Sequence, residues 1–71
     1  MRKKVLIEGM SCQNCVKHVG EALNEIDGIS NVEVKLEDKA ALLDADNNEL
    51  DQAIKFALDE AGYEVVGIES V

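Results

Sequence analysis

Two helical stripes, each ended by a glycine, constrain the fold of this chain more than any other feature. Val16, Val19, Leu23 and Ile26 recur at spacings of three, four and three, which marks one face of an amphipathic helix. Asp27-Gly28 follows, and Gly28 suits the left-handed position past a helix C-terminus. The spacing predicts a helix from Gln13 or Asn14 to Ile26. Leu50, Ala53, Ile54, Ala57, Leu58 and Ala61 form the second stripe, and Gly62 ends it in the same way. Asn48 is the expected N-cap there, with Glu49 and Asp51 complementing the positive end of the helix dipole. Phe56 lies off this stripe; it either covers an edge of the core or makes a surface contact.

The segments between the stripes read as strands. Lys4-Val5-Leu6-Ile7-Glu8 is a short apolar run closing at Gly9, the pattern of a buried strand. In "NVEVKLE", Val32, Val34 and Leu36 share one face and Glu33, Lys35 and Glu37 the other, so one side is wet. "EDK" makes a tight connection to "AALLDA", the returning strand of a hairpin, and "YEVVGIE" supplies the last strand. The order β-α-β-β-α-β gives two βαβ halves joined by a hairpin. Short connections and the right-handed crossover rule favour an α+β, ferredoxin-like fold: a four-stranded antiparallel sheet with two helices on one face. Residues 1–71 read as a single domain without a linker. This fold hosts unrelated functions, so the chemistry must be read from side chains.

Charge and composition narrow the classes. Fifteen acidic residues stand against seven basic ones, for a net charge of −8, which leaves no basic footprint for nucleic acid. Arg2, Lys3 and Lys4 form a short basic run, but no apolar signal-peptide core follows it. No apolar segment is long enough for membrane insertion. The expected location is the cytoplasm, where thiols stay reduced and a close cysteine pair serves metal or redox chemistry. The acid excess suggests a partner with a basic docking face. Phe56 and Tyr63 are the only aromatics, so Val, Ile, Leu and Ala must build the core.

Cys12 and Cys15 lie where the first strand ends and the first helix begins. Unpaired N–H groups and the helix dipole favour a thiolate there, which makes a better metal ligand and nucleophile. Gly9 gives the loop backbone freedom, and Ser11 can cap the helix or hydrogen-bond within the loop. Structural zinc wants four protein ligands, and one cysteine pair plus His18 falls short. Copper(I), which is soft and accepts few ligands, suits two thiolates, and mercury(II) would be satisfied by the same pair. A C-x-x-C can also be a disulfide redox centre. Against that reading, the chain is short for such a fold and contains no proline to stand opposite the thiols. His18 stands one turn after Cys15 and is the only candidate third ligand, yet its phase also makes it an exposed neighbour of Lys17 and Glu21.

Gly9-Met10-Ser11-Cys12-Gln13-Asn14-Cys15 resembles the G-M-x-C-x-x-C motif of heavy-metal-associated domains. The resemblance runs from Val5 to about Ile68 and takes in "CVKHV", "DGISNVEV" and "EAGYEV". The family includes ferredoxin-like copper chaperones and the N-terminal domains of copper-transporting P-type ATPases. The resemblance implies that Cys12 and Cys15 are copper(I) ligands in an exposed loop. Met10 would pack beneath that loop rather than bind. Tyr63 matches a position beside the metal loop, where tyrosine is the bacterial pattern; otherwise it is a strand-end aromatic covering core. Zinc- and cadmium-transporting relatives often carry an acid before the first cysteine, so Ser11 favours copper(I).

The function this implies is that of a cytosolic copper(I) metallochaperone, not an enzyme. It would bind one ion through Cys12 and Cys15 and hand it to a copper-transporting ATPase by ligand exchange. The runner-up is an excised metal-binding domain of such an ATPase, and a thiol–disulfide oxidoreductase is the minority reading. The apo chain is expected to be a folded monomer, with a metal-bridged homodimer open on loading.

Overall fold

The computed structural model describes residues 1–47 and 49–71, and the elements follow the expected order. They are β1 (Arg2–Glu8), α1 (Gln13–Asn24), β2 (Ile29–Lys35), β3 (Ala40–Ala45), α2 (Leu50–Glu60) and β4 (Glu64–Ser70). The sheet runs β2-β3-β1-β4, and every neighbouring pair is antiparallel. β1 is therefore central: Val5 faces Ala41 on one side and Ile68 on the other. Placing β3 between β1 and β2 splits the first βαβ unit, as the ferredoxin-like reading requires.

One core lies between the sheet and the helices. Val5, Ile7, Ala41, Leu43 and Ala45 of the sheet pack with Val19 and Leu23 of α1 and with Ile54 and Leu58 of α2. Because strand side chains alternate, these residues put both helices on the same face of the sheet. Ile7, Leu23, Leu43, Ile54, Leu58, Val5 and Val19 are the largest fully buried side chains. Each contributes about 1.5–3 kcal/mol of burial.

Several boundaries differ from the sequence reading, each for a local reason. β1 starts at Arg2 rather than Lys4, because Lys3 alternates onto the core side. Lys3 is buried, and its Nζ donates to Asp51 Oδ1 at 2.9 Å. α1 ends at Asn24, two residues before the expected Ile26. Its last turn tightens, with Ile26 N–H donating to Leu23 O at 3.2 Å, yet Ile26 still packs on the core. β2 begins two residues earlier than its alternation suggested and carries a bulge between Ser30 and Glu33. There Asn31 takes φ 51° and donates from Nδ2 to Asp44 Oδ2 at 2.7 Å. A bulge on this edge strand hinders pairing with another chain. Val32, Val34 and Leu36 pack against the core, as the alternation implied.

At the start of α2, Asn47 Oδ1 accepts from the Glu49 N–H at 2.9 Å, a turn that leads into the helix. The expected cap, Asn48, lies outside the described residues. The other end of α2 matters more for function. Gly62 N–H donates to Asp59 O at 3.1 Å and Tyr63 N–H to Leu58 O at 2.9 Å. That bond pair, with Gly62 at φ 95°, is a Schellman motif, and it aims Tyr63 at the end of the molecule where β1 finishes.

Candidate metal site

β1 stops at Glu8, and Gly9–Cys12 carries the chain into α1. Gly9 has φ 99°, which a side chain rarely adopts, and a Cβ there would lie 3.5 Å from Tyr63 Cδ1. The loop thus closes against the residue that the Schellman motif delivers. Met10 is 5% exposed and belongs to the core cluster, so the loop is anchored from below. Cys12 is the N-cap of α1, in extended backbone, and no side chain caps the helix. Ser11 therefore does not act as the cap that its type suggested.

The first turn of α1 sets the thiol geometry. Cys15 N–H and Val16 N–H both donate to Cys12 O, at 3.1 and 3.3 Å. One helical turn brings the two Sγ atoms to 3.3 Å, with Cys12 exposed and Cys15 half-buried. Cys15 is held as a thiolate donor: its pKa falls from 9.0 to about 6. The Ser11 main chain is the largest cause, followed by the Tyr63 hydroxyl and the Cys12 thiol, with partial burial opposing them. The same bond pushes the Tyr63 phenol above its usual value, because its proton is held by the thiolate.

Among the described residues, no group of three or more His, Cys, Asp and Glu side chains is arranged so that it could hold a metal ion. His18 is exposed on α1 and joins neither cysteine in such a group. The donor set is two thiols, one of them ionised near neutral pH. That set fits a soft ion of low coordination number and is two ligands short of a closed zinc site.

Sequence reasoning missed one feature of the loop. The stripe was expected to start at Val16, but Cys15 packs on the core cluster with Ala22 and Ile26, and Val16 is not part of it. Cys15 stands four residues before Val19 and seven before Ala22, so the signal was present but hidden by starting the phase at Val16. Tyr63 packs on the core, and its ring closes against Gly9 beside the loop that carries Cys12 and Cys15.

The ionisation can be followed directly. In the reduced apo protein, thiolate absorbance near 240 nm should rise with one midpoint near pH 6. Tyr63→Phe removes one donor and should move that midpoint upward, though not to 9.0, because Ser11 still donates. The folded value lies below the unfolded one. This ionisation therefore favours the fold fully above about pH 9 and loses that contribution as pH falls through 6. An unchanged midpoint in Tyr63→Phe would show that the hydroxyl does not reach the thiolate.

Comparison with known proteins gives four consistent findings. The model of the heavy-metal-associated domain matches residues 4–64. The copper chaperone CopZ of Staphylococcus aureus (strain MRSA252) is 38% identical over 68 residues, covering 93% of this chain and all of the relative. A solved CopZ metallochaperone superposes with a TM-score of 0.85 at 34% identity, over 93% of this chain and 100% of that one. A copper binding domain from HMA7, a P-type ATPase, superposes with a TM-score of 0.81 at 29% identity, over 99% and 100%.

Proposed function

As this chain belongs to the heavy-metal-associated domain family, we propose that it carries one copper(I) ion between Cys12 and Cys15 and passes it to a second protein. The observation that carries the reading is the thiol pair itself. Two Sγ atoms stand 3.3 Å apart on an exposed helix-initiating loop, with no cluster of three donors among the described residues. A site so sparsely coordinated favours hand-over above permanent storage. The copper chaperone relatives at 38% identity support the cargo.

The geometry suggests an order of exchange. Cys12 is exposed and Cys15 half-buried and hydrogen-bonded, so an incoming thiolate reaches the ion on the Cys12 side. A new metal–sulfur bond forms before the Cys12 bond breaks, and Cys12 then takes up a proton from water. Cys15 holds the ion through this first exchange, with the Ser11 and Tyr63 donors steadying its charge, and a second incoming thiolate then displaces it. Loop support comes from Gly9 and Met10, and His18 takes no part. The protein is a carrier rather than an enzyme.

The receiving protein in this proposal is a copper-transporting P-type ATPase, through a domain of similar fold, in the cytoplasm. The likeness to the copper binding domain from HMA7 supports that pairing. It equally favours the second reading, in which this chain is itself such a domain. No helix among the described residues is long and apolar enough to cross a membrane. Loading with copper can also bridge two copies through four thiolates.

The test is an anaerobic copper(I) titration of the reduced chain against a competing chelator. One tight equivalent per chain is expected, with zinc(II) displaced under reducing conditions. Preference for zinc(II) would sink the copper reading. Insulin-reductase turnover would instead favour a disulfide enzyme.

A further inference from the structure

Lys3 is the one charged side chain buried among the described residues, at 3% exposed. Its Nζ donates to Asp51 Oδ1 at 2.9 Å. Lys3 sits near the start of β1, in register with Leu43 of β3 and Ser70 of β4, and Asp51 sits in the first turn of α2. The pair thus lies at the opposite end of the molecule from the thiols, which follow the end of β1. We propose that Lys3 and Asp51 are a positioning pair for the thiol loop: they fix where α2 rests along the sheet, and hence where Tyr63 meets Gly9.

Stability alone does not call for such a pair. Two apolar side chains of similar volume often serve as well as a buried ion pair, or better, because both charges must give up water. What the apolar contacts of α2 lack is direction. Ile54 and Leu58 are fully buried against the sheet, but the burial of aliphatic surface is non-directional and tolerates sliding. A hydrogen-bonded ion pair favours one arrangement. Of the ion pairs among the described residues, Arg2–Glu33, Arg2–Asp44 and Lys35–Glu33 stay within the sheet, and Lys3–Asp51 alone joins a helix to it. The N-cap of α2, Glu49, makes no side-chain cap bond that would duplicate this hold.

α2 carries that position to the site. Its 11 residues form a rod of about 16 Å, with Asp51 in its first turn and the Schellman turn at Gly62 just past its last. Tyr63 follows at once, and its ring closes over Gly9, where an added Cβ would stand 3.5 Å from Cδ1. Gly9 opens the loop that carries Cys12 and Cys15. A slide of α2 by about 0.5–1 Å opens this contact enough to forfeit roughly a quarter to a half of its attraction. Lys3 and Asp51 therefore act on the loop through α2 and Tyr63, not on the ion.

This role rests on the carrier reading only for its purpose, and its first readout needs no metal. The reduced apo chain is labelled with ¹⁵N and compared with the double variant Lys3→Met with Asp51→Leu, which replaces the pair by apolar side chains. Urea unfolding should stay at or above that of the unaltered chain. The Gly9, Gly62 and Tyr63 amides should nonetheless shift or broaden, and the Overhauser contacts between Gly9 and the Tyr63 ring should weaken. Asp51→Glu, which keeps the pair, should keep those signals. Lys3→Met alone leaves Asp51 partly in water and should move the same signals, which provides the test if the double variant fails to fold. Copper(I) affinity should fall about 10-fold or more in the double variant. Unmoved Gly9 and Tyr63 signals in a variant without the pair would overturn the proposal, as would unaltered copper(I) affinity or equal movement in Asp51→Glu. Signals that move only in step with lost urea stability would overturn it too, by showing a general loosening. An unaltered chain that binds no copper(I) would sink the carrier reading alone, and the apo spectra would still decide this one.

Discussion

Replacing either Cys12 or Cys15 with serine should lower copper(I) affinity by more than about 100-fold, the upper range for losing an outer-shell partner. The two changes should not look alike. A hydroxyl is a hard donor of very high pKa, so in either variant the ion keeps a single thiolate. In Cys12→Ser that thiolate is Cys15, which the Ser11 main chain and Tyr63 already hold ionised near pH 6. In Cys15→Ser it is the exposed Cys12, and Tyr63 loses its bond to the second thiol. Cys15→Ser is therefore expected to be the more damaging of the two, by chelator competition at pH 7. Equal losses would overturn the asymmetry, whereas near-normal binding in either variant would mean that another residue supplies a donor, and His18→Ala would then be the next measurement.

Much of this arrangement was legible in the sequence, and what was not has a common physical origin. The helices, the four strands and the hairpin follow from the spacing of Val, Leu, Ile and Ala, because periodicity reports which side faces the core. Lys3 escaped that logic, since its place in the core depends on Asp51, forty-eight residues away in sequence. The bulge at Asn31 depends likewise on Asp44 and Arg2 across the sheet edge. At the site, the cysteine spacing announced the pair, but not the difference between its members. That difference comes first from the Ser11 main chain and then from Tyr63, which the Schellman turn at Gly62 brings beside the loop. Local patterns speak for elements, and pairings distant in sequence speak for function.

The core does not depend on the metal, since its buried residues are aliphatic and come from both helices and the sheet. The apo chain is accordingly expected to be folded, with a stability typical of its size. At ~0.05–0.15 kcal/mol per residue, 71 residues give about 4–11 kcal/mol. That margin is small enough for one core truncation to dominate it.

Met10→Ala is the truncation that separates support of the loop from support of the fold. Met10 is 5% exposed among core residues, so losing its side chain should cost about 2–5 kcal/mol in urea unfolding of the apo protein. Ile54→Ala, fully buried on α2, should cost a similar amount and serves as the reference. Metal affinity is what distinguishes them. Met10 lies between Gly9 and Ser11, directly beneath the main chain that donates to Cys15, whereas Ile54 reaches the site only through the general fold. Copper(I) affinity, corrected for the folded fraction, should therefore fall about 10-fold or more in Met10→Ala and change little in Ile54→Ala. Copper present at about 1,000 times its dissociation constant adds about 4 kcal/mol, enough to refold either variant for the measurement. Equal affinities after correction would show that Met10 holds the core and not the clamp. The two thiols would then owe their spacing to the first turn of α1 alone.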